Sequence, residues 1–344
     1  MTVPTHDTQP GTDGATVDDL ALAAAGVLCQ NQSGQTLLVT LTYDRYHPYA
    51  VPGGGTEPGE TPRATAVREL GEELGLTGIE LSELACVDYV LGRDRPPVIA
   101  YLYRTARPLT EQQIGRIRLQ PTEISGFAFH TPAECTRLLP PRLGRRVAAC
   151  HAATAGPVAL VAGRPLDPTV TAADLIAFER AKTSPRSVPP DGVVLPMDRA
   201  TYIATRPRAR VRAEVLATRA DGFVLLDRTG DGLGLPGAPV PVRTELPQQT
   251  AARLPGPLAE PMVMRAVDWC TAPDGSAPTV VHLFDAGTRP ATQQVGTWAP
   301  VTALDDLLPP AAAARVRSAL AARTHAAFAE LVDGHPPAEG SVTP

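Results

Sequence analysis

The stretch Gly54–Leu76, GGTEPGETPRATAVRELGEELGL, decides how the rest of this chain reads. It holds a glycine, then Glu60 after five residues, then after seven more the run Arg68-Glu69-Leu70-Gly71-Glu72-Glu73-Leu74-Gly75-Leu76. The punctuation predicts a helix: Thr61 to cap the free amides, Pro62 for the first helical position, and Gly75 to close it in the left-handed conformation. With 3.6 residues per turn, Val67, Leu70 and Leu74 share one face, while Glu69, Glu72 and Glu73 fall at i, i+3 and i+4 on the opposite one.

Carboxylates so spaced repel by a few tenths of a kcal/mol per pair even on an open helix, so the cluster is a cost unless a cation relieves it. Oxygen ligands of this kind suit Mg2+ or Mn2+, ions that combine a few carboxylates with waters and substrate phosphates. The turn therefore reads as a divalent-metal site for a phosphate ester or anhydride. The same residues also fit a solvated acidic face on which Arg68 and Glu72 form an i, i+4 pair.

The full pattern resembles the Nudix box, the glycine–glutamate–REUxEExGU signature of the Nudix hydrolases, at every specified position. Its approach, Tyr49-Ala50-Val51-Pro52-Gly53-Gly54, is similar to the family's aromatic–x–aliphatic–PGG lead. The resemblance implies an α/β fold, an α/β/α sandwich with a mixed sheet, and metal-assisted hydrolysis of a diphosphate. It implies that Glu72 and Glu73 bind the essential Mg2+ (or Mn2+), with the Gly54 carbonyl completing the coordination. Glu69 would bind a second metal or accept a proton from the attacking water. Arg68 would orient the glutamates, and Glu60 would hold Arg68 or the loop. Glu123, just ahead of a strand, is the candidate further ligand or base, with Glu111 and Glu57 behind it; the base is left open between Glu69 and Glu123.

Substrate contacts are less specified. Arg45, Arg93 and Arg95 are candidate phosphate contacts, and Tyr43, Tyr46, Tyr49 and Tyr89 are candidates to stack a base or to pack. The NADH-type SQPWPFPxS run is absent, and Leu91 stands where ADP-ribose enzymes tend to place proline. The expected substrate is a small-molecule diphosphate, a nucleoside triphosphate or nucleoside diphosphate derivative, with a non-nucleotide diphosphate still open. The alternative to an enzyme is a nucleotide-binding sensor that keeps the fold without turnover.

A length of 344 residues predicts two domains. The chain is 43% hydrophobic and 19% charged, and its net charge of -5 gives no general attraction to nucleic acid or an anionic membrane. Cys29, Cys86, Cys135, Cys150 and Cys270 are widely spaced with no CxxC pair, and read as reduced thiols of a cytoplasmic protein. Residues 1–18 are polar, with no basic start and no apolar core, and read as a disordered tail with no signal peptide. No apolar run approaches a membrane-spanning length.

Along the chain, 24–30 and 36–43 read as strands around the turn Asn31–Gly34, 84–91 and 97–105 as a hairpin, and 124–130 as a further strand. Thr131 caps one helix and 142–153 forms another, so that residues 19–155 make a catalytic domain. Residues 156–205 read as a linker region with one helix, 171–183, capped by Thr171 and packed through Leu175, Ile176 and Phe178. The run Ser184–Gly192 is linker by composition.

Residues 206–330 then repeat the first domain in order. Leu235-Pro236-Gly237 stands for Val51-Pro52-Gly53, Ala266–Trp269 for Cys86–Tyr89, Trp298-Ala299-Pro300 for Phe127-Ala128-Phe129, and Leu307–Pro310 for Leu138–Pro141. Placing Glu245 under Glu60 brings Arg253 under Arg68, but sets Leu254, Pro257 and Leu258 under Glu69, Glu72 and Glu73. Pro255 and Pro257 each cost about 3 kcal/mol in a helix interior, which predicts a broken helix and no metal cluster. Anchoring Phe127 on Trp298 pairs Glu123 with Gln294. The expectation is a degenerate, non-catalytic second domain, a tail at 331–344, and a monomer in which the second domain takes a dimer partner's place.

Overall fold

The computed structural model describes residues 20–92, 95–153, 156–181, 198–230, 232–255, 262–272, 274–290 and 296–337. The first half runs β1 (Ala21–Leu28), β2 (Thr36–Leu41), β3 (Tyr49–Ala50), β4 (Gly53–Gly55) and α1 (Pro62–Leu74). It continues with β5 (Leu81–Val90), β6 (Val98–Thr105), α2 (Glu111–Ile114), β7 (Ile124–His130), α3 (Pro132–Leu138) and α4 (Pro141–Ala152). The middle segment holds β8 (Val158–Val161), β9 (Arg164–Pro165), α5 (Ala172–Ala181) and α6 (Arg199–Thr205). The second half runs β10 (Arg208–Arg219), β11 (Phe223–Thr229), β12 (Gly232–Gly234), β13 (Gly237–Pro239), α7 (Pro247–Ala252) and β14 (Met264–Cys270). It ends with β15 (Thr279–Arg289), β16 (Thr297–Pro300), α8 (Leu304–Leu307), α9 (Pro310–Thr324) and β17 (Ala329–Val332).

Helix α1 starts and stops at its sequence signals. Ala64 N donates to Thr61 Oγ1 at 3.3 Å, Pro62 opens the helix, and Gly75 adopts φ 65°. The Gly75 and Leu76 amides then reach the Gly71 and Leu70 carbonyls, satisfying groups the helix end would otherwise leave unpaired. The buried arc differs from the predicted one. Ala66, Leu70 and Leu74 are buried, but so are Glu69 and Glu73, while Val67 is only half-buried. The helix is rolled toward its glutamates because it lies against β4, three glycines whose missing side chains leave room there.

β1 is buried along nearly its whole length, as expected of a strand covered on both faces. It runs parallel to β6 and antiparallel to β4, β5 pairs with β6 antiparallel, and β8 joins β5 in parallel. A smaller sheet, β3-β2-β7, stands beside it. The middle segment thus differs from the predicted linker: β8 and β9 extend the first half's sheet, and it holds two described helices rather than one. Thr171 does cap α5, and Leu175 is buried, but Phe178 is 44% exposed beneath the Arg164 guanidinium. Residues 329–332 and the turn after them are ordered structure rather than tail, with Asp333 accepting from Thr271 N and Oγ1. The predicted N-terminal tail, the Ser184–Gly192 run, Arg93, Pro257, Leu258 and Gln294 lie outside the described residues.

Strands β10 to β17 pair among themselves as β1 to β8 do. β10 is parallel to β15 and antiparallel to β13, β14 is antiparallel to β15 and parallel to β17, and β11 pairs with β12 and β16. Individual contacts repeat as well. Val27 N donates to Pro52 O at 2.9 Å, and Val215 N to Pro236 O at 2.9 Å. Buried Asp88 accepts from Arg146 Nε at 2.9 Å and Gly163 N at 3.1 Å; buried Asp268 accepts from Arg315 Nε at 2.7 Å and Gly334 N at 3.1 Å. Each is a charge pair taken out of water together with a further backbone donor, the condition under which burying it is tolerable.

The halves meet where β1 and β10 pair antiparallel, Ala21 opposite Ala209 and Leu22 opposite Arg208, so that one sheet runs through both. One apolar core follows that sheet from Leu70 and Leu74 of α1 to Leu246, Ala251 and Phe284 of the second half. Separate clusters lie under α3 and α4 and under α8 and α9, giving helices on both faces of the sheet. Polar contacts cross the seam too. Arg63 of α1 donates to Glu330 Oε2 at 2.7 Å, Tyr103 Oη donates to Glu330 Oε1 at 2.7 Å, and Tyr89 Oη donates to Val242 O at 2.9 Å. Among the described residues no helix is long and apolar enough to cross a membrane.

Candidate functional site

Strand β4 and the last two turns of α1 bring the predicted residues together. Gly54 lies against Glu69: a Cβ added at Gly54 would stand 2.7 Å from Glu69 Cδ and closer still to Oε1. Gly53 N donates to Glu73 Oε2 at 2.9 Å. Arg68 is the hub, donating through Nε to Glu60 Oε1 at 2.7 Å and through Nη1 to Glu69 Oε1 at 3.0 Å and Glu72 Oε2 at 2.7 Å. Its Nη2 reaches Gly55 O at 3.1 Å. Glu60 also accepts from Thr65 Oγ1 at 2.9 Å and Glu57 N at 3.0 Å, which ties the loop to the helix. The Arg68–Glu72 pair is therefore real, but it is one arm of a network in which Glu69 and Glu73 are buried and only Glu72 faces solvent.

Burial decides the electrostatics. It pushes the Glu73 carboxyl up to about 8, a shift that the Gly53 amide opposes and that Glu69, Glu123 and Glu72 add to. Burial likewise pushes Glu69 up to about 7, with Arg68 opposing and Glu72 and Glu123 reinforcing. For Glu60 burial works upward too, but hydrogen bonds from Arg68, the Glu57 amide and Thr65 outweigh it and hold the carboxyl below its ordinary value. Glu123 sits just before β7, its carbonyl accepting from Thr42 N at 2.8 Å, and its charge acts on both Glu69 and Glu73.

The donor set fits a hard divalent cation. It offers several carboxylates, all oxygen donors, and two of them are held where a negative charge is costly. Among the described residues no three acidic, His or Cys side chains already converge as ligands. The reason is visible in the contacts: Glu69 and Glu72 turn to Arg68, and Glu73 turns to the Gly53 amide.

Other candidates are placed elsewhere. Tyr49 stands edge-on to His130, with ring centroids 6.2 Å apart, and packs with the cluster under α3 and α4, away from the carboxylates. Tyr89 is buried at the seam. Arg45 and Tyr46 are exposed on the loop between β2 and β3. Glu111 is exposed in the first turn of α2, and Glu57 pairs with Arg206 at 3.1 Å. Tyr43 does lie at the site: burial, then Glu73 and Glu123, then Tyr202 and Glu69, raise its phenol above the ordinary value.

Tyr202 and Arg206, from the segment between the halves, were missed by the sequence reading. The local signal was Asp198, whose carboxylate caps α6 by accepting from Ala200 N at 2.9 Å and Thr201 N at 3.0 Å. Nothing local indicates which surface α6 would rest on.

Comparisons with known proteins point to the same segment of the chain. The NUDIX domain model matches residues 20–149. An uncharacterised Nudix hydrolase of Rhodococcus erythropolis, orf19, is 32% identical over 123 residues, 33% of this chain and 64% of that protein. The chain thus matches less than two thirds of that relative's length. Among solved structures, the MutT protein of Methanosarcina mazei Go1 is 17% identical with a TM-score of 0.33, covering 40% of this chain and all of that one. A C. elegans Ap4A hydrolase is 20% identical with a TM-score of 0.31, covering 38% of this chain and 96% of that one. The glycine strand, the helix of glutamates and Glu123 all fall inside the matched segment, and residues 20–149 are a NUDIX domain.

Proposed function

We propose that this chain is a divalent-metal-dependent pyrophosphohydrolase that cleaves the diphosphate linkage of a nucleoside triphosphate or nucleoside diphosphate derivative. The observation that carries the reading is the burial of Glu69 beside Gly54 and of Glu73 beside Gly53, with the charge of Glu123 acting on both. Glu69, Glu72, Glu73 and the Gly54 carbonyl are the residues to hold Mg2+ or Mn2+, with Glu123 as a further ligand. A cation held there supplies neutralisation of the diphosphate charge and a Lewis-acid pull on phosphorus. Glu69 or Glu123 takes the proton of the attacking water: both are carboxylates, and the charge of Glu123 acts on Glu69. Arg68 keeps the glutamates apart and aimed, Glu60 fixes Arg68, and the Gly53 amide orients Glu73.

The second half is proposed to be a degenerate NUDIX-like domain without catalysis. It supports the first half as an intra-chain partner, so that the protein acts as a monomer. The repeated strand pairing supports this, as does α7, which ends at Ala252 before any residue equivalent to Glu72 or Glu73. The deciding experiment is release of phosphate or pyrophosphate from a nucleotide panel with Mg2+, comparing the parent with Glu73→Gln. Turnover by the parent that the variant loses supports the reading. Absence of turnover on any diphosphate, alongside tight nucleotide binding, overturns it in favour of a sensor. Light scattering at twice the 36.1 kDa chain mass overturns the monomer.

A further inference from the structure

The strand of glycines is covered from outside the NUDIX domain. Tyr202 of α6 places its hydroxyl against Gly55, where an added Cβ would meet Tyr202 Oη at 2.6 Å. The Arg206 guanidinium lies over the Tyr202 ring, 4.4 Å from its centroid, and donates to Glu57 Oε1 at 3.1 Å and Gly55 O at 3.5 Å. Arg68, the hub of the carboxylates, donates to that same Gly55 carbonyl. The ring is thus fixed at its tip and on one face, yet Tyr202 remains 36% exposed. Partial burial, and then the charges of Glu69 and Glu123 against the pull of Arg206, raise its phenol, which places it on the acidic side of the site.

From this arrangement we propose that α6 forms the substrate-side wall of the site, and that Tyr202, backed by Arg206, stacks a planar aromatic group attached to the diphosphate. A held aromatic ring with open surface loses little conformational freedom on stacking, and a cation over its covered face fixes its tilt. Every nucleobase presents a π-face to such a platform, so the contact selects nucleotides over bare diphosphates without selecting one base. Tyr49, the aromatic residue nearest the box in sequence, packs elsewhere and leaves this role to the segment that joins the halves. The inference rests on reading the carboxylates as a diphosphate site.

The test is calorimetric binding to the full chain with Mg2+, using ADP and inorganic pyrophosphate as probes, for the parent, Tyr202→Ala, Tyr202→Phe and Arg206→Ala. Expected are an ADP affinity for the parent at least tenfold above that for pyrophosphate, loss of most of that ratio in Tyr202→Ala, and retention within threefold in Tyr202→Phe. Arg206→Ala gives an intermediate ratio. The proposal is overturned if the parent binds ADP no more tightly than pyrophosphate, if it binds neither, or if Tyr202→Ala weakens both probes alike. A ratio that behaves as expected in a protein that hydrolyses no nucleotide sinks the hydrolase reading and leaves the stack standing.

Discussion

In the first half, Glu60 receives Thr65 Oγ1 and the Arg68 guanidinium, and the helix then runs on to Leu74. In the second half, Glu245 receives Thr250 Oγ1 at 2.8 Å and Arg253 Nη2 at 2.6 Å, and the helix stops at Ala252. Pro255 explains the stop, because a proline disfavours helical backbone at the residue before it and offers no amide of its own. The strand below differs in one atom that matters: Gly54, opposite Ala25, corresponds to Ala238, opposite Ala213. The anchors that hold backbone to backbone, including the Asp88 and Asp268 ion pairs, are present in both halves. Among the described residues, glutamates buried on the helix beside that strand occur in the first half only. On the proposed reading, scaffold and chemistry are separable in this fold, and the pair of halves is a built-in control.

The largest expected effect is on turnover. Glu73→Gln is expected to lower kcat by about 10^2–10^4-fold, the usual worth of a positioned acid–base or ligand group, while Glu245→Gln leaves kcat within about twofold. Steady-state kinetics on one nucleotide checks both, and equal losses would erase the distinction between the halves. Next is stability. Removing one partner of a buried ion pair costs about 3–5 kcal/mol, and Asp88→Ala leaves Arg146 without its ion-pair partner. Asp268→Ala costs less, because Arg315 keeps Glu214 at 2.9 Å. Thermal unfolding of the two variants side by side gives the order, and the reverse order breaks it.

A third comparison moves one methyl group. Gly54→Ala gives the first half the side chain the second half already has and displaces Glu69, for about a 10^2-fold loss in kcat, the scale of a 1 Å misplacement. Because the clash is with a carboxylate end, the fold survives, and Ala238→Gly in the other half changes nothing in turnover. The smallest effect is on pH. Glu69 and Glu73 have folded-state values raised from 4.5 to about 7 and about 8. Their contribution to stability is full below about pH 4.5 and is lost as pH rises through those values. The metal-free Tm is expected to fall by a few degrees between about pH 5 and pH 9, with added Mg2+ restoring it and Glu73→Gln flattening the slope. A Tm that rises over that range would contradict the burial of these carboxylates.

Much of this was legible in the sequence for reasons that are local. Thr61, Pro62 and Gly75 specify α1 without help from the rest of the chain, and the Pro-Gly and Asp-aromatic steps place the second half's strands under the first's. What was not legible depends on what a residue rests against. The periodicity sets Glu69 and Glu73 opposite the apolar face, as metal ligands or as a solvated acidic surface, and does not say that they will be buried against a strand of three glycines. Tyr49 sits beside the box in sequence and on the other side of the sheet in space. Tyr202 lies in the region 156–205, which reads as a linker with one helix, and only the arrival of α6 at Gly55 brings it to the site. The strands β8 and β9 were missed because four and two residues are too short to show a period.

The contact between Arg63 and Glu330 has a consequence for how the chain can be shortened. Arg63 is in the first turn of the helix that carries the glutamates, and its acidic partner lies 267 residues later, in the final strand. Cutting the chain back to its matched 130 or so residues removes that counter-charge and strips the seam from one side of the apolar core. The excised piece keeps every glutamate but loses one of the contacts that hold their helix in place, so an inactive fragment says nothing against the glutamates themselves.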